Sequence, residues 1–286
     1  MRAHAKINLY LRVLGKRPDG YHELETLFER ITLADEITFE PHSTQLILTC
    51  NLPELSCGED NLILKAARLL QKETGIKQGA KIHLTKRIPI AAGLGGGSSD
   101  AAAALIGLSR LWSLPLTQQA LITLGAQLGS DVAFFLYNTA YAVGTGRGEI
   151  CQPLPADLKL AHVLVVPNVP LATPEIFKSS RFDLTAPKPS IRIAEHALSN
   201  GSLSELASGL YNDLEPEAIR RCPVIGTIQT TLTQLGCLAT RMSGSGPAVF
   251  GLCRNLEQAK QIAHTLRQKT TQPWLIDIVE TAKPIK

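Results

Sequence analysis

The stretch Pro89-Ile90-Ala91-Ala92-Gly93-Leu94-Gly95-Gly96-Gly97-Ser98-Ser99-Asp100 runs directly into Ala101-Ala102-Ala103-Ala104. Glycines at 93, 95, 96 and 97 let the backbone take positive φ and come close to a bulky group. Two hydroxyls and a carboxylate then stand at a helix start, followed by an alanine run of high helix propensity. A glycine loop that feeds a helix N-terminus is an anion site, because free N–H groups and the helix dipole both favour phosphate. A plain turn is the competing reading. The glycines meet a Ser-Ser cap at a strand-to-helix junction, and that favours a phosphate cradle. A Walker loop would need Gly-Lys followed by Ser or Thr, and no lysine stands between Gly93 and Asp100. A dinucleotide fingerprint starting at Gly93 would need glycine where Ser98 stands, and a protein-kinase glycine loop fails the same test. The cradle is of another kind.

Outward from the loop, Ala80 to Ile88 reads as a strand, and Ser98 to Trp112 as a helix apolar nearly all round, hence buried between layers. A helix over Leu62–Thr74 starts after Asp60-Asn61 and closes at Gly75. Ala3 to Leu11 alternates, with Ala3, Ala5, Ile7, Leu9 and Leu11 on one face of a strand. Lys6 and Asn8 share the other face, which is either solvated or part of a site. Pro18-Asp19-Gly20 is a turn that delivers Tyr21 and His22 to a second strand region, Leu24 to Phe39. Thr117 to Leu128 is helical, and Gly129-Ser130-Asp131 then precedes the apolar run Val132 to Leu136. Asp131 reads either as a turn or N-cap residue or as a catalytic carboxylate. Gly144-Thr145-Gly146-Arg147-Gly148 reads as a flexible loop, and Pro153 with Pro155 marks a domain boundary near 155. Beyond it come a strand (161–166), a proline-rich loop, helices at 191–198, 203–209 and about 215–235, strands ending near Met242 and over 248–253, a helix over 256–268 and a last strand over 274–280. Without the extra helices that order is βαββαβ, the ferredoxin-like pattern.

The 286 residues are 44% hydrophobic and 19% charged, which describes a globular protein with room for two domains, 1–155 and 156–286. A net charge of +4 suits anionic small molecules and is too dispersed for nucleic acid. Six scattered cysteines without a C-x-x-C pair predict reduced thiols rather than a metal cluster or disulfide framework. The N-terminus has no apolar signal core, and no apolar run approaches the roughly 18 residues of a membrane span. The expectation is a soluble cytoplasmic protein, a monomer or weak homodimer, with no nucleic-acid or membrane partner.

These residues carry a family resemblance spread over nearly the whole chain. Ala5-Lys6-Ile7-Asn8-Leu9, the loop from Pro89 to Ala102, and Arg241-Met242-Ser243-Gly244-Ser245-Gly246-Pro247-Ala248-Val249-Phe250 appear in the order seen in the galactokinase, homoserine kinase, mevalonate kinase and phosphomevalonate kinase superfamily. Arg17 to Leu24, Gly-Leu-Gly-Gly-Gly-Ser-Ser, Gly129 to Val132 and Asn212-Asp213-Leu214-Glu215 narrow the resemblance to its members that act on the cytidine diphosphate derivative of methylerythritol. The resemblance implies an α+β, two-domain kinase fold. Its N-terminal ATP-binding α/β domain would be similar to a domain of a small-subunit ribosomal protein, its C-terminal domain ferredoxin-like, and the active site would lie between them. It implies ATP-dependent phosphorylation of the tertiary 2-hydroxyl of the methylerythritol unit, in the non-mevalonate route to isoprenoids.

By the same resemblance, Asp131 is the general base or the positioning group for the alcohol, with Lys6 beside it to keep it ionised and stabilise the transferring group. Pro89, Ile90, Ala91, Ala92, Gly93, Leu94, Gly95, Gly96, Gly97, Ser98 and Ser99 hold ATP. Tyr21 and Phe177 stack on the cytosine, with Phe182 as the alternative to Phe177. His22 bonds the base edge, Asn8 and Asp131 hold the polyol, and Ser243 and Gly244 close over the site. Magnesium is expected on chemical grounds, with Ser99 as a candidate ligand by analogy. Asp100 reads as a helix-start residue, since its carboxylate would repel phosphate unless it points away or a cation intervenes. Two other functions stay open: a related kinase for homoserine or mevalonate, and a nucleotide-binding protein that has lost the chemistry. Tyr21-His22 speaks against the first, and intact Lys6, Asp131 and glycine loop speak against the second. A Rossmann oxidoreductase fails on the fingerprint.

Overall fold

A computed structural model describes residues 1–282 and shows two sheets joined by a shared core. The first is built around an unusually long pair, β1 (Arg2–Lys16) and β2 (His22–His42), which run antiparallel along most of their length. β3 (Leu46–Cys50) lies parallel to β4 (Gly79–Thr85), and β4 pairs with the second half of β2. The hairpin β5 (Tyr141–Gly146) and β6 (Ile150–Leu154) pairs with the first half of β2. Residues 144–148, expected as a flexible loop, are instead the end of β5 and its tight turn. Strand pairing with Leu24–Thr26 and the Gly148 N–H to Thr145 O bond (3.0 Å) hold them there.

The alternation expected for β1 holds only in part. Register shifts after His4 and Asn8 break the period-two pattern, and Leu9 and Tyr10 both enter the core between the sheets. Both faces of the strand are buried, and neither is solvated.

On one side of this sheet pack α1 (Leu62–Thr74), α2 (Gly96–Leu111), α3 (Gln118–Leu128) and the single turn α4 (Val132–Leu136). Asn61 caps α1 by accepting the Ile63 N–H, an interaction worth about 1 kcal/mol, and Gly75 ends it in the left-handed region. As its composition predicts, α2 is largely buried, packed against α1, α3, α4, β1 and β2.

The second sheet has the order β11 (Leu275–Glu280), β7 (Ala161–Val166), β10 (Val249–Cys253), β9 (Ala239–Met242), antiparallel throughout, which is the ferredoxin-like arrangement. Between β7 and β9 run α5 (Thr173–Ser179), α6 (Ile191–Asn200), α7 (Leu203–Gly209), the two-residue β8 (Tyr211–Asn212), α8 (Glu215–Arg221) and α9 (Val224–Gln234). The single helix expected over about 215–235 is thus two. Pro223 has no N–H to continue the ladder, and Cys222 leaves the helical region in front of it. α10 (Leu256–Lys269) crosses back before β11.

The chain therefore has the two-domain α+β architecture, with one exchange. β8, from the second half, adds to the first sheet beside β1. Among the described residues no helix is long and apolar enough to cross a membrane, and all six cysteines are free thiols.

Candidate active site

The glycine loop, the middle of β1, the turn before β2 and the segments around Asp131, Phe177 and Gly244 enclose one cleft of 1110 Å³. Every loop residue from Pro89 to Ser98 lines it. Ser99 is buried and lies outside the wall, so Ser98 is the loop hydroxyl that faces the cleft.

Glycine is required at two loop positions for more than phosphate access. Gly93 has φ +76°, and a Cβ there would stand 2.1 Å from the Ser243 carbonyl oxygen. Gly95 has φ +68°, and its Cβ would meet Lys6 Cγ at 3.0 Å. The bare backbone lets a lysine from β1 and a turn from the far end of the chain close on the loop. Hydrogen bonds fasten this contact: Lys6 N–H to Leu94 O (3.0 Å), Ser243 Oγ to Gly93 O (2.9 Å), and Asn8 N–H to Ser243 Oγ (3.3 Å). Asn212, at β8, donates to the carbonyls of both Met242 and Gly244 at 2.8 Å and holds the turn in place.

Lys6 Nζ lies 3.3 Å from Asp131 Oδ2 and donates to Asn8 Oδ1 at 2.6 Å. Asn8 in turn donates to Thr26 Oγ1 at 2.7 Å, which fixes the amide with its oxygen toward the ammonium. Residues far apart in sequence meet here because β1 supplies Lys6 and Asn8, β2 supplies Thr26, and the α3–α4 turn supplies Asp131. The Asp131 side chain is 30% exposed and makes no capping bond to α4, so its carboxylate is available to a ligand.

Behind the loop a second lysine, Lys86, is largely buried and reaches the cleft wall together with Asp100. Lys86 Nζ contacts Asp35 Oδ2 at 2.5 Å and Asp100 Oδ2 at 2.7 Å, with all three side chains buried. Asp35 also accepts the Arg87 and Ile88 N–H groups at 2.6 and 2.8 Å. Burial pushes the Asp100 carboxyl up to about 7, with the Asp35 carboxylate adding to the effect and the Lys86 ammonium opposing it. α2 begins at Gly96 with Gly95 as its N-cap and no side-chain capping bond, so the expected Ser-Ser cap is not made and Asp100 stands in the second turn, buried, with Lys86 as its neutralising cation.

At the other end of the cleft the His22 ring stacks on Phe177 at 5.3 Å and meets Phe182 edge-on at 5.3 Å. Phe177 lines the cleft, and Phe182 lines a separate depression. Tyr21 is 56% exposed, with the Arg147 guanidinium 4.8 Å above its ring. Burial and the nearby Lys16 hold the His22 imidazole below its usual range, so it is neutral at pH 7 and able both to donate and to accept.

The structure therefore brings Lys6, Asn8, Asp131 and the glycine loop together, and Tyr21, His22 and Phe177 at a common rim. Ser243 supports the loop from below, while Gly244 reaches the wall. The arrangement suits transfer of a phosphoryl group to an alcohol held between an anion cradle and a carboxylate. Sequence reasoning missed Thr26, Lys86, Asp35 and Arg147. Only Arg147, between two glycines of a turn, offered a signal.

Comparison with known proteins identifies the family. Residues 61–139 match the GHMP kinases N terminal domain, and residues 194–272 match the GHMP kinases C terminal domain. A 4-diphosphocytidyl-2-C-methyl-D-erythritol kinase of Pelotomaculum thermopropionicum is 41% identical over 271 residues, 94% of either chain. One of a Synechococcus species is 42% identical over 278 residues, covering 93% of this chain and 89% of that one. A crystal structure of 4-(cytidine 5'-diphospho)-2C-methyl-D-erythritol kinase superposes with a TM-score of 0.82 at 35% identity, covering 98% of both chains. A mevalonate kinase of L. major (TM-score 0.75, 18% identity, covering 99% of this chain and 95% of that one) shares the fold.

Proposed function

The chain belongs to the family of GHMP kinases, and from that membership we propose that it transfers the γ-phosphoryl group of ATP to the 2-hydroxyl of 4-diphosphocytidyl-2-C-methyl-D-erythritol. The products are the 2-phosphate and ADP. The observation that carries this reading is the Lys6–Asp131 pair, 3.3 Å apart, in the cleft that the glycine loop lines. Relatives at about 40% identity over nearly the whole chain act on that substrate by name.

In this reading the loop N–H groups and the α2 N-terminus hold the triphosphate. Asn8 and Asp131 hold the polyol, and Asp131 takes the hydroxyl proton as the oxygen bonds to the γ-phosphorus. The bond to the β–γ bridging oxygen breaks, and ADP leaves. Lys6 offsets the charge on the transferring group, and a loose transition state places the burden on such electrostatics and on alignment. Tyr21 and Phe177 clasp the cytosine, His22 bonds its edge, and Gly244 closes the wall. Magnesium, when bound, supplies charge neutralisation at the β and γ oxygens. The cleft wall offers Ser98 and Asp131 as oxygen donors, and among the described residues no group of three His, Cys, Asp or Glu side chains gathers to hold a metal. The donor set fits an ion carried mainly by nucleotide and water. We place the domain boundary near residue 155, between β6 and β7, with the reaction in the cleft between the halves, in the cytoplasm.

An ADP-release assay with a panel of alcohols tests the assignment. Turnover with the cytidine diphosphate substrate and none with homoserine or mevalonate is the expected result. Preference for either smaller alcohol would overturn the substrate, and ATP binding without turnover on any of them would overturn the activity.

A further inference from the structure

Arg30 lies deep in the first domain, and every side-chain hydrogen bond it makes among the described residues ends on a backbone carbonyl. Its Nη2 donates to Tyr137 O at 2.9 Å and to Phe134 O and Phe135 O at 3.4 Å, and its Nε donates to Thr139 O at 3.2 Å. The residue is 1% exposed. Burial alone draws its guanidinium down to about 10, with no neighbouring charge offsetting the loss of water. A buried cation without a carboxylate partner is costly, and it persists where its hydrogen bonds fix something.

What it fixes is the far end of α4, the single turn whose N-cap is Asp131. The helix is about 7 Å long at 1.5 Å per residue, so holding its last carbonyls sets where its first residue points. α3 seats the same turn from behind, since a Cβ on Gly125 would stand 2.5 Å from Leu136 Cδ1. Arg30 also faces Lys6 across the β1–β2 ladder. A second connection runs through side chains. The Arg30 guanidinium sits 5.3 Å from the Phe134 ring, that ring stacks on Phe28 at 5.0 Å, and Lys6 Nζ lies 5.5 Å from the Phe28 ring. Two cations thus bracket two stacked rings, one ring from β2 and one from α4.

We propose that Arg30 is a positioning residue for the phosphoryl transfer: it docks α4 on β2 so that Asp131 and Lys6 hold their separation. This rests on the reading of Asp131 and Lys6 as the reacting pair. A base displaced by about 1 Å costs on the order of 100-fold in rate, and the loss belongs to kcat because Arg30 is buried outside the lining of the cleft.

The test is a double-mutant cycle on the full chain, with kcat and both KM values measured for Arg30→Met, Arg30→Lys, Asp131→Ala and the Arg30→Met/Asp131→Ala pair. Arg30→Met is expected to lower kcat about 10- to 100-fold with both KM values within about threefold. Arg30→Lys keeps the charge with fewer donors and falls between. With Asp131 already Ala, the Arg30 change is expected to cost less than about twofold more, because two residues that act as a unit are non-additive. Circular dichroism checks that each variant is folded. If Arg30→Met is not, Arg30→Lys carries the same cycle. Unchanged kcat in either folded variant, or an equal loss with and without Asp131, would overturn the inference. Near-normal turnover by Asp131→Ala alone would instead remove the functional reading, and the two failures are thereby separate.

Discussion

Two lysines meet carboxylates in this protein, with opposite surroundings. Lys86 is enclosed with Asp35 and Asp100, each side chain at most 5% exposed. Lys6 is equally buried at its own end, but its partner Asp131 is 30% exposed and borders the cleft. In the buried cluster the ammonium is shared between two acids, and the main-chain N–H groups that Asp35 accepts bind it into the backbone. In the open pair an amide, Asn8, takes the second place beside the ammonium, so the lysine is not saturated by negative charge. The same residue types serve as a structural fastening where every partner is buried behind the loop, and as a reactive pair where the carboxylate stays accessible, although Lys86 and Asp100 also reach the cleft wall.

The widest separation of the two clusters is expected on turnover. Asp131→Ala should lower kcat roughly 10²–10⁴-fold, the span of one acid–base group, and shift the melting temperature less than Lys86→Met does, because Asp131 makes no capping bond and Lys6 keeps its bond to Asn8 at the cleft wall. Steady-state kinetics and a thermal melt on one preparation read both quantities, and near-normal turnover would erase the contrast. Lys86→Met is the converse. It leaves two buried carboxylates without their cation and should cost about 3–5 kcal/mol in urea unfolding. A loss below about 1 kcal/mol would show that the cluster does not hold the fold.

The smallest effect is on pH dependence. Because burial raises Asp100 to about 7 in the folded chain from its ordinary 3.8, the native state holds that proton more tightly than the unfolded state does. Its contribution to stability is present at low pH and is lost as pH rises between about 4 and 7. Asp100→Asn should flatten that part of a melting-temperature profile. A slope identical to the unsubstituted protein would place the titration elsewhere.

Much of the fold was legible because its signals are local. The caps of α1, the glycine loop and its helix, and the βαββαβ order all follow from neighbouring residues. The strand bearing Lys6 and Asn8 was legible too, though the register shifts that turn Leu9 and Tyr10 to one core were not, because bulges are settled by the partner strand. β3 and β8 are too short to show a period, and the break at Pro223 was visible in the sequence yet passed over. In the site, Lys6 and Asp131 were legible as candidates, each with a structural alternative beside it, and only the resemblance chose between the readings. Lys86 and Arg30 could not be named at all, since an isolated basic residue in a strand or loop gives no sign of the carbonyls or carboxylates that long-range packing will set around it.

The two-residue strand β8 has a consequence for how the protein is made. Tyr211 and Asn212 pair with β1, Asp213 N–H bonds Leu11 O at 2.9 Å, and Asp213 Oδ2 receives Val13 N–H at 2.8 Å. β1 thus pairs with β2 at once but waits some two hundred residues for the neighbour on its other edge, and the loop-closing turn at Ser243 arrives later still. Such distant pairings make a chain fold slowly and leave its early portion incomplete during synthesis. A nascent N-terminal half would carry the glycine loop, Lys6 and Asp131 without the contacts that close them into a cleft. Competence arrives with the last third of the chain, and a truncated product would have the reactive residues but no finished site.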